Sequence, residues 1–149
     1  MALRAGTLGI VTGGRSSAGV AAVASTSSPA DVAAGIPLRL LAAPPAKLAA
    51  AAMLLGEFVI DKLPNTPSRM VPPALLGRIA MAAITAGTLA QRHQVPVAVP
   101  VTVGALGAVV GSVVGLRWRQ AAAARDWPDL AAALAEDVLV LGLAWYSTV

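Results

Sequence analysis

Residues 104–115 read GALGAVVGSVVG, running from Gly104 to Gly115. None of these side chains is charged, and glycine recurs every fourth residue at Gly107, Gly111 and Gly115. Positions four apart share one face of a helix. The stretch therefore predicts a helix with a groove of missing side chains, where a second backbone packs closely. Widened to Val97–Leu116, the uncharged run reaches the roughly 20 residues that an α-helix needs to cross a hydrocarbon core. The reading that follows is an integral membrane protein.

The remainder of the chain points the same way. Of its 149 residues, 57% are hydrophobic and 12% charged, where a soluble domain carries about 25% charged residues. Such a chain has too little charge to coat a surface facing water. The apolar fraction is mostly Ala, Val and Leu, with 3% aromatics, a composition suited to close helix packing. The net charge is +4 and the isoelectric point about 10.7. Yet the basic residues stand singly or in pairs at the ends of apolar runs, as Lys and Arg do at the cytoplasmic ends of membrane spans. They form no patch with interleaved aromatics, so the expected partner is the lipid bilayer and not nucleic acid. Cysteine is absent, which excludes disulfides, thiolate metal sites and thiol catalysis.

The chain reads as a single all-α polytopic domain over 1–149. Five apolar helical segments are expected, at about 5–25, 47–61, 73–91, 97–116 and 129–146. Pro72 and Pro73 suit the first turn of the third, where a missing N–H costs nothing. Trp127-Pro128-Asp129 opens the fifth as a capping entry. The first segment is expected to be retained, because Arg15 and several glycines interrupt what a cleaved signal peptide keeps as an unbroken apolar run. The stretch 29–45 is broken by Pro37 and carries Asp31 and Arg39, so it is expected to be interfacial or re-entrant. Five spans would place Arg4, Lys62, Arg69, Arg117, Arg119 and Arg125 on one side, and Arg39, Lys47 and Arg92 on the other. The positive-inside rule then puts the N-terminus in the cytoplasm. Trp118 and Trp127 at one interface and Trp145-Tyr146 at the other fit an aromatic belt.

Depth selects the charges of interest. Arg15 lies about 16 Å along a helix from Arg4, and Glu136 and Asp137 some 10–12 Å past Asp129. A charge near the bilayer centre costs about 2.5–3.5 kcal/mol and normally finds a partner or a wet cavity. Arg15 is thus expected to pair with Glu136 or Asp137. Glu57 and Asp61 stand four apart on one helix face. They repel unless cations intervene, and Arg78 is a natural partner for Glu57. Arg15, Glu57, Asp61, Arg78, Glu136 and Asp137 are therefore the candidates for a polar path or for buried ion pairs. His93, the only histidine, has no companion acids, so no metal site and no cofactor are expected. No serine stands in a nucleophile-elbow pattern. Gly13-Gly14-Arg15-Ser16-Ser17 lacks the Gly-Lys-Ser/Thr of a phosphate loop. A catalytic site is not expected.

Small residues supply the strongest pattern. Gly9 and Gly13, together with Gly107, Gly111 and Gly115, are the expected helix-packing positions, either within one chain or in a glycine zipper between copies. The stretch Gly6–Gly13 (GTLGIVTG) also echoes Gly104–Gly111 (GALGAVVG), a weak signal of the inverted repeats that transporters carry.

The run from Gly56 to Arg69 (GEFVIDKLPNTPSR) resembles a bacterial integral-membrane family, the domain of unknown function numbered four-one-two-six. The likeness extends to Gly14-Arg15, Gly115-Leu116-Arg117 and Glu136-Asp137, and so covers most of the chain. It implies a membrane location and no reaction, cofactor or substrate. The function expected is a small transporter- or channel-like protein for an ion or small polar solute. The alternative is a non-catalytic scaffold or assembly subunit that oligomerises through its glycines or holds a membrane-protein partner.

Overall fold

A computed structural model describes residues 1–28, 30–31, 35–60 and 70–149. The described residues form seven helices and no strand: α1 (Ala2–Gly14), α2 (Ala18–Thr26), α3 (Ile36–Ala42), α4 (Pro44–Ile60), α5 (Pro72–Arg92), α6 (Ala98–Ala123) and α7 (Asp129–Thr148). Three of them, α5, α6 and α7, are long and apolar enough to cross a bilayer. The α3–α4 pair, bent by 78°, makes a fourth candidate. Among the described residues that makes three to four candidate crossings, below the five expected.

The first expected span is one source of the difference; the other is α4, which qualifies only together with the bent α3. The first span is not one helix but two, broken at Arg15, and it turns back on itself. Arg15 has an extended backbone (φ −135°, ψ 112°) between Gly13-Gly14 and the turn at Ser16-Ser17. Leu8 of α1 and Val23 of α2 meet in one buried cluster with Leu38 and Leu89, and Gly19 of α2 lies against Thr12 of α1. The two ends of this hairpin share one end of the bundle. Met1 and Arg4 line a surface pocket with His93 and Val95, and Arg92 donates to the Thr26 carbonyl over 2.6 Å. Hydropathy does not distinguish a straight apolar helix from a re-entrant pair of half-helices.

The glycines set how α1 sits. A Cβ at Gly9 would land on the Gly104 carbonyl, one at Gly13 on that of Ala108, and one at Gly111 on that of Ile10. At Gly107 it would stand 2.6 Å from the Gly6 carbonyl. Backbone thus rests on backbone, and the α6 glycine face is filled by α1 of the same chain. The paired positions ascend together, 6 to 13 with 103 to 112, so α1 runs parallel to α6. The two echoing stretches lie side by side in the same direction, whereas an inverted repeat relates helices of opposite direction. Gly104 also receives Ala86 of α5, whose Cβ would stand 2.6 Å from its own.

Around this hairpin the remaining helices alternate in direction. Lys47, in the first turn of α4, donates to the Ser27 carbonyl at the hairpin's outer end, and Glu57, thirteenth residue past Pro44, reaches its tip. The charge grouping that oriented a five-span layout is corrected by the same turn. Arg4 lies at the face of Lys47 and Arg92, not with Arg117, Arg119 and Arg125 at the α6–α7 turn. There Trp118 and Trp127 meet edge-to-face, 5.9 Å apart. Helix α6 continues to Ala123, past the arginines that seemed to close it at Leu116. Of the stretch 29–45, Ile36–Ala42 form α3.

Candidate functional site

The hairpin tip lies near the middle of the bundle. Gly13 packs at Ser112, fourteen residues into α6, and Arg15 meets Asp137, eight residues or about 12 Å into α7. A chain break at this depth exposes carbonyls at the end of α1 and N–H groups at the start of α2. In hydrocarbon each unmet group costs several kcal/mol. Charged side chains of α4 and α5 meet them.

The end of α1 is closed by a cation. Arg78 of α5 donates through Nη1 to the carbonyls of Gly13 (2.8 Å) and Gly14 (3.1 Å), and the Ser112 hydroxyl donates to Gly13 (3.2 Å). The start of α2 is closed by an anion. Glu57 accepts from the backbone N–H and hydroxyl of Ser16 (2.8 and 2.9 Å) on Oε1 and from those of Ser17 (2.9 and 2.6 Å) on Oε2. Both choices match the helix dipole, which is negative at a C-terminus and positive at an N-terminus. Arg78 and Glu57 also approach each other, at 3.6 Å.

Arg15, between the two half-helices, is 1% exposed. Its Nε and Nη2 donate to Oδ1 of Asp137 at 2.9 and 2.5 Å, and its guanidinium carbon lies 5.3 Å from the centre of the Phe58 ring, within cation–π range. Neighbouring Glu136 lies against the end of α1, its Oε1 3.9 Å from where a Cβ at Gly14 would stand. Arg119 stands 3.8 Å from Glu136 and 2.9 Å from Asp129, so ionic groups continue from the tip to the α6–α7 end of the bundle.

The structure therefore brings Arg15, Glu57, Arg78 and Asp137 together at the tip, with Glu136 on the adjoining face of α7. Asp61 lies outside the described residues. Phe58, Arg119, Ser16 and Ser17 are participants that sequence reading did not select. The serines carry a signal, two hydroxyls directly after a buried arginine. A cavity of about 180 Å³ adjoins the tip between α1, α6 and α7, with Gly14, Gly111, Gly115, Trp118, Glu136 and Val140 in its wall. On the other side of the tip, the Leu8–Val23–Leu38–Leu89 cluster seals the bundle. Among the described residues no group of His, Cys, Asp and Glu is arranged to hold a metal.

No protein-family model matches the chain, and neither does any curated protein or solved structure.

Proposed function

We propose that the chain is a small, non-catalytic transporter- or channel-like membrane protein for an ion or small polar solute, with its path closed. One observation carries this reading: a broken helix turns back at mid-depth and presents its ends to charged groups of α4, α5 and α7. Irregular backbone at that depth is tolerated only where protein buries it or it lines a wet cavity, and discontinuous helices form the ion and substrate sites of many transporters. Buried ionisable groups in membranes are by default candidates for such a path. Reconstituted vesicles test it, with proton, potassium and chloride flux read separately. Replacing Glu136 and Asp137 by their amides is expected to abolish flux while insertion persists. Unchanged flux counts against the proposal.

A second reading has its own support. The tip is closely bonded, with Arg15 almost wholly buried, as in a cluster that only fixes helix register. The chain is then a scaffold or assembly subunit. The amide variants would impair folding or assembly and move no ion, and crosslinking in native membrane would capture a stable partner.

Orientation belongs to the same proposal. Among the described residues Arg4, Arg39, Lys47 and Arg92 gather at the N-terminal face, against Arg117, Arg119 and Arg125 at the other. That supports a cytoplasmic N-terminus by one residue; Lys62 and Arg69 lie outside the described residues. The chain has no cysteine, so a single one placed at Gln94 in the α5–α6 turn reports the side by its labelling in intact cells.

A further inference from the structure

A second cavity, of about 250 Å³, opens between α2, α4 and α7. It is larger than the roughly 150 Å³ apolar cavity that accommodates benzene in another protein. Its floor is built from small side chains, among them Ala18, Ala22, Ala51 and Ala144, and it runs from Lys47 to Leu54, about 10 Å along α4. Lys47 and Trp145 stand at its mouth. Both lie within about one turn of a helix end, the depth at which lipid headgroups meet amphipathic aromatics and basic residues.

We infer that this groove binds an anionic phospholipid, with its phosphate at Lys47 and one acyl chain along the alanine floor. The charge at the mouth selects the occupant. An ammonium has three donors, and the Ser27 carbonyl takes one of them, at 2.6 Å. That bond fixes the Lys47 head at the groove entrance and leaves donors for a phosphate oxygen. Trp145, 63% exposed, offers an indole face and N–H at the same level. The alanines leave the width that a methylene chain fills. The site is separate from the hairpin tip, so it stands whether or not the chain conducts a solute.

The full chain, purified in detergent, is to be titrated with phosphatidylglycerol and with phosphatidylcholine of the same chain length, and bound lipid read by native mass spectrometry. Retention of phosphatidylglycerol at several-fold lower concentration is expected. Lys47→Gln should bring that ratio close to one. Arg39→Gln, which removes an exposed charge on the same face, should leave it unchanged. Ala51→Leu fills the groove from an exposed position and should lower retention of both lipids several-fold. The proposal is overturned by equal retention of the two lipids in the unaltered chain. It is overturned equally if Arg39→Gln erases the preference as Lys47→Gln does, since general surface charge would then account for it. If the groove seats a helix of a second copy, Ala51→Leu shifts the oligomeric state and leaves lipid retention intact, which also overturns it.

Discussion

Arg15 and Asp137, 122 positions apart in the chain, meet through one carboxylate oxygen that accepts from both Nε and Nη2 of the guanidinium. With Arg15 1% exposed, removing either partner breaks a buried ion pair. Asp137→Ala is expected to cost about 3–5 kcal/mol, the usual penalty for breaking a buried pair. Replacing both, as Arg15→Met with Asp137→Leu, should recover most of that loss, because an apolar pair of similar volume avoids the desolvation. Unfolding in mixed micelles measures both. A double variant no more stable than the single would show that the pair does not act as a unit.

Glu57 holds the turn by four accepted hydrogen bonds. Glu57→Ala leaves the Ser16 and Ser17 N–H groups unmet and is expected to cost about 2–3 kcal/mol or more, since bonds to a charged acceptor are each worth about 1.5–3. Ser17→Ala removes one hydroxyl donor to that carboxylate and should cost about 1.5–3 kcal/mol, the lower end being expected because three other bonds remain. Hydrogen exchange at the Ser16 and Ser17 amides gives the local readout: fast exchange in the Glu57 variant and near-native protection in the Ser17 variant.

The glycines divide into two groups with opposite expected responses. A methyl at Gly9, Gly13 or Gly111 would collide with a facing carbonyl that cannot yield without parting α1 from α6. Alanine at Gly111 is expected to destabilise by about 1–3 kcal/mol, the range for overpacking. Gly77 and Gly142 sit inside helices with open space around the added carbon. Alanine there should stabilise by about 0.5–1 kcal/mol through backbone entropy alone. Thermal unfolding of the variants separates the two groups.

His93, outside the spanning helices, is held below its ordinary value of 6.5, first by partial burial and then by the positive charges of Arg4, Arg92 and the terminal amine, with Asp31 opposing. As pH falls through 6.5 the unfolded chain takes up a proton before the folded one does. The stability associated with a neutral His93 is thus complete above about 6.5 and declines on acidification towards the folded value. His93→Gln should lack this component. Parallel stability profiles of the two proteins between pH 5 and 7.5 would refute it.

Much of this arrangement could be read from residue spacing. The fourfold glycine period picked out the face of α6 that another backbone covers. The depth of Arg15 pointed to the acids of the last helix. What spacing cannot convey is direction: Gly13-Gly14-Arg15-Ser16-Ser17 is equally apolar on average whether the chain crosses or turns back. The turn depends on Arg78 and Glu57, more than forty residues away, reaching the broken ends, and no local pattern encodes that meeting. The length of α6 was hidden for a related reason. Arg117 and Arg119 look like terminators, but Trp118 donates to the Ala132 carbonyl at 3.0 Å and Arg119 reaches Asp129, so the helix has reason to continue.

The parallel seam between α1 and α6 also bears on biogenesis. The hairpin leaves the ribosome well before Gly104, Gly111, Arg78 and Asp137 exist to receive it. Until those residues are made, its severed hydrogen bonds have only water or a helper protein to turn to. Its docking is therefore a late, non-local step of the kind that is slow and vulnerable in larger folds. A segment made before its partners is among the last to reach its final place.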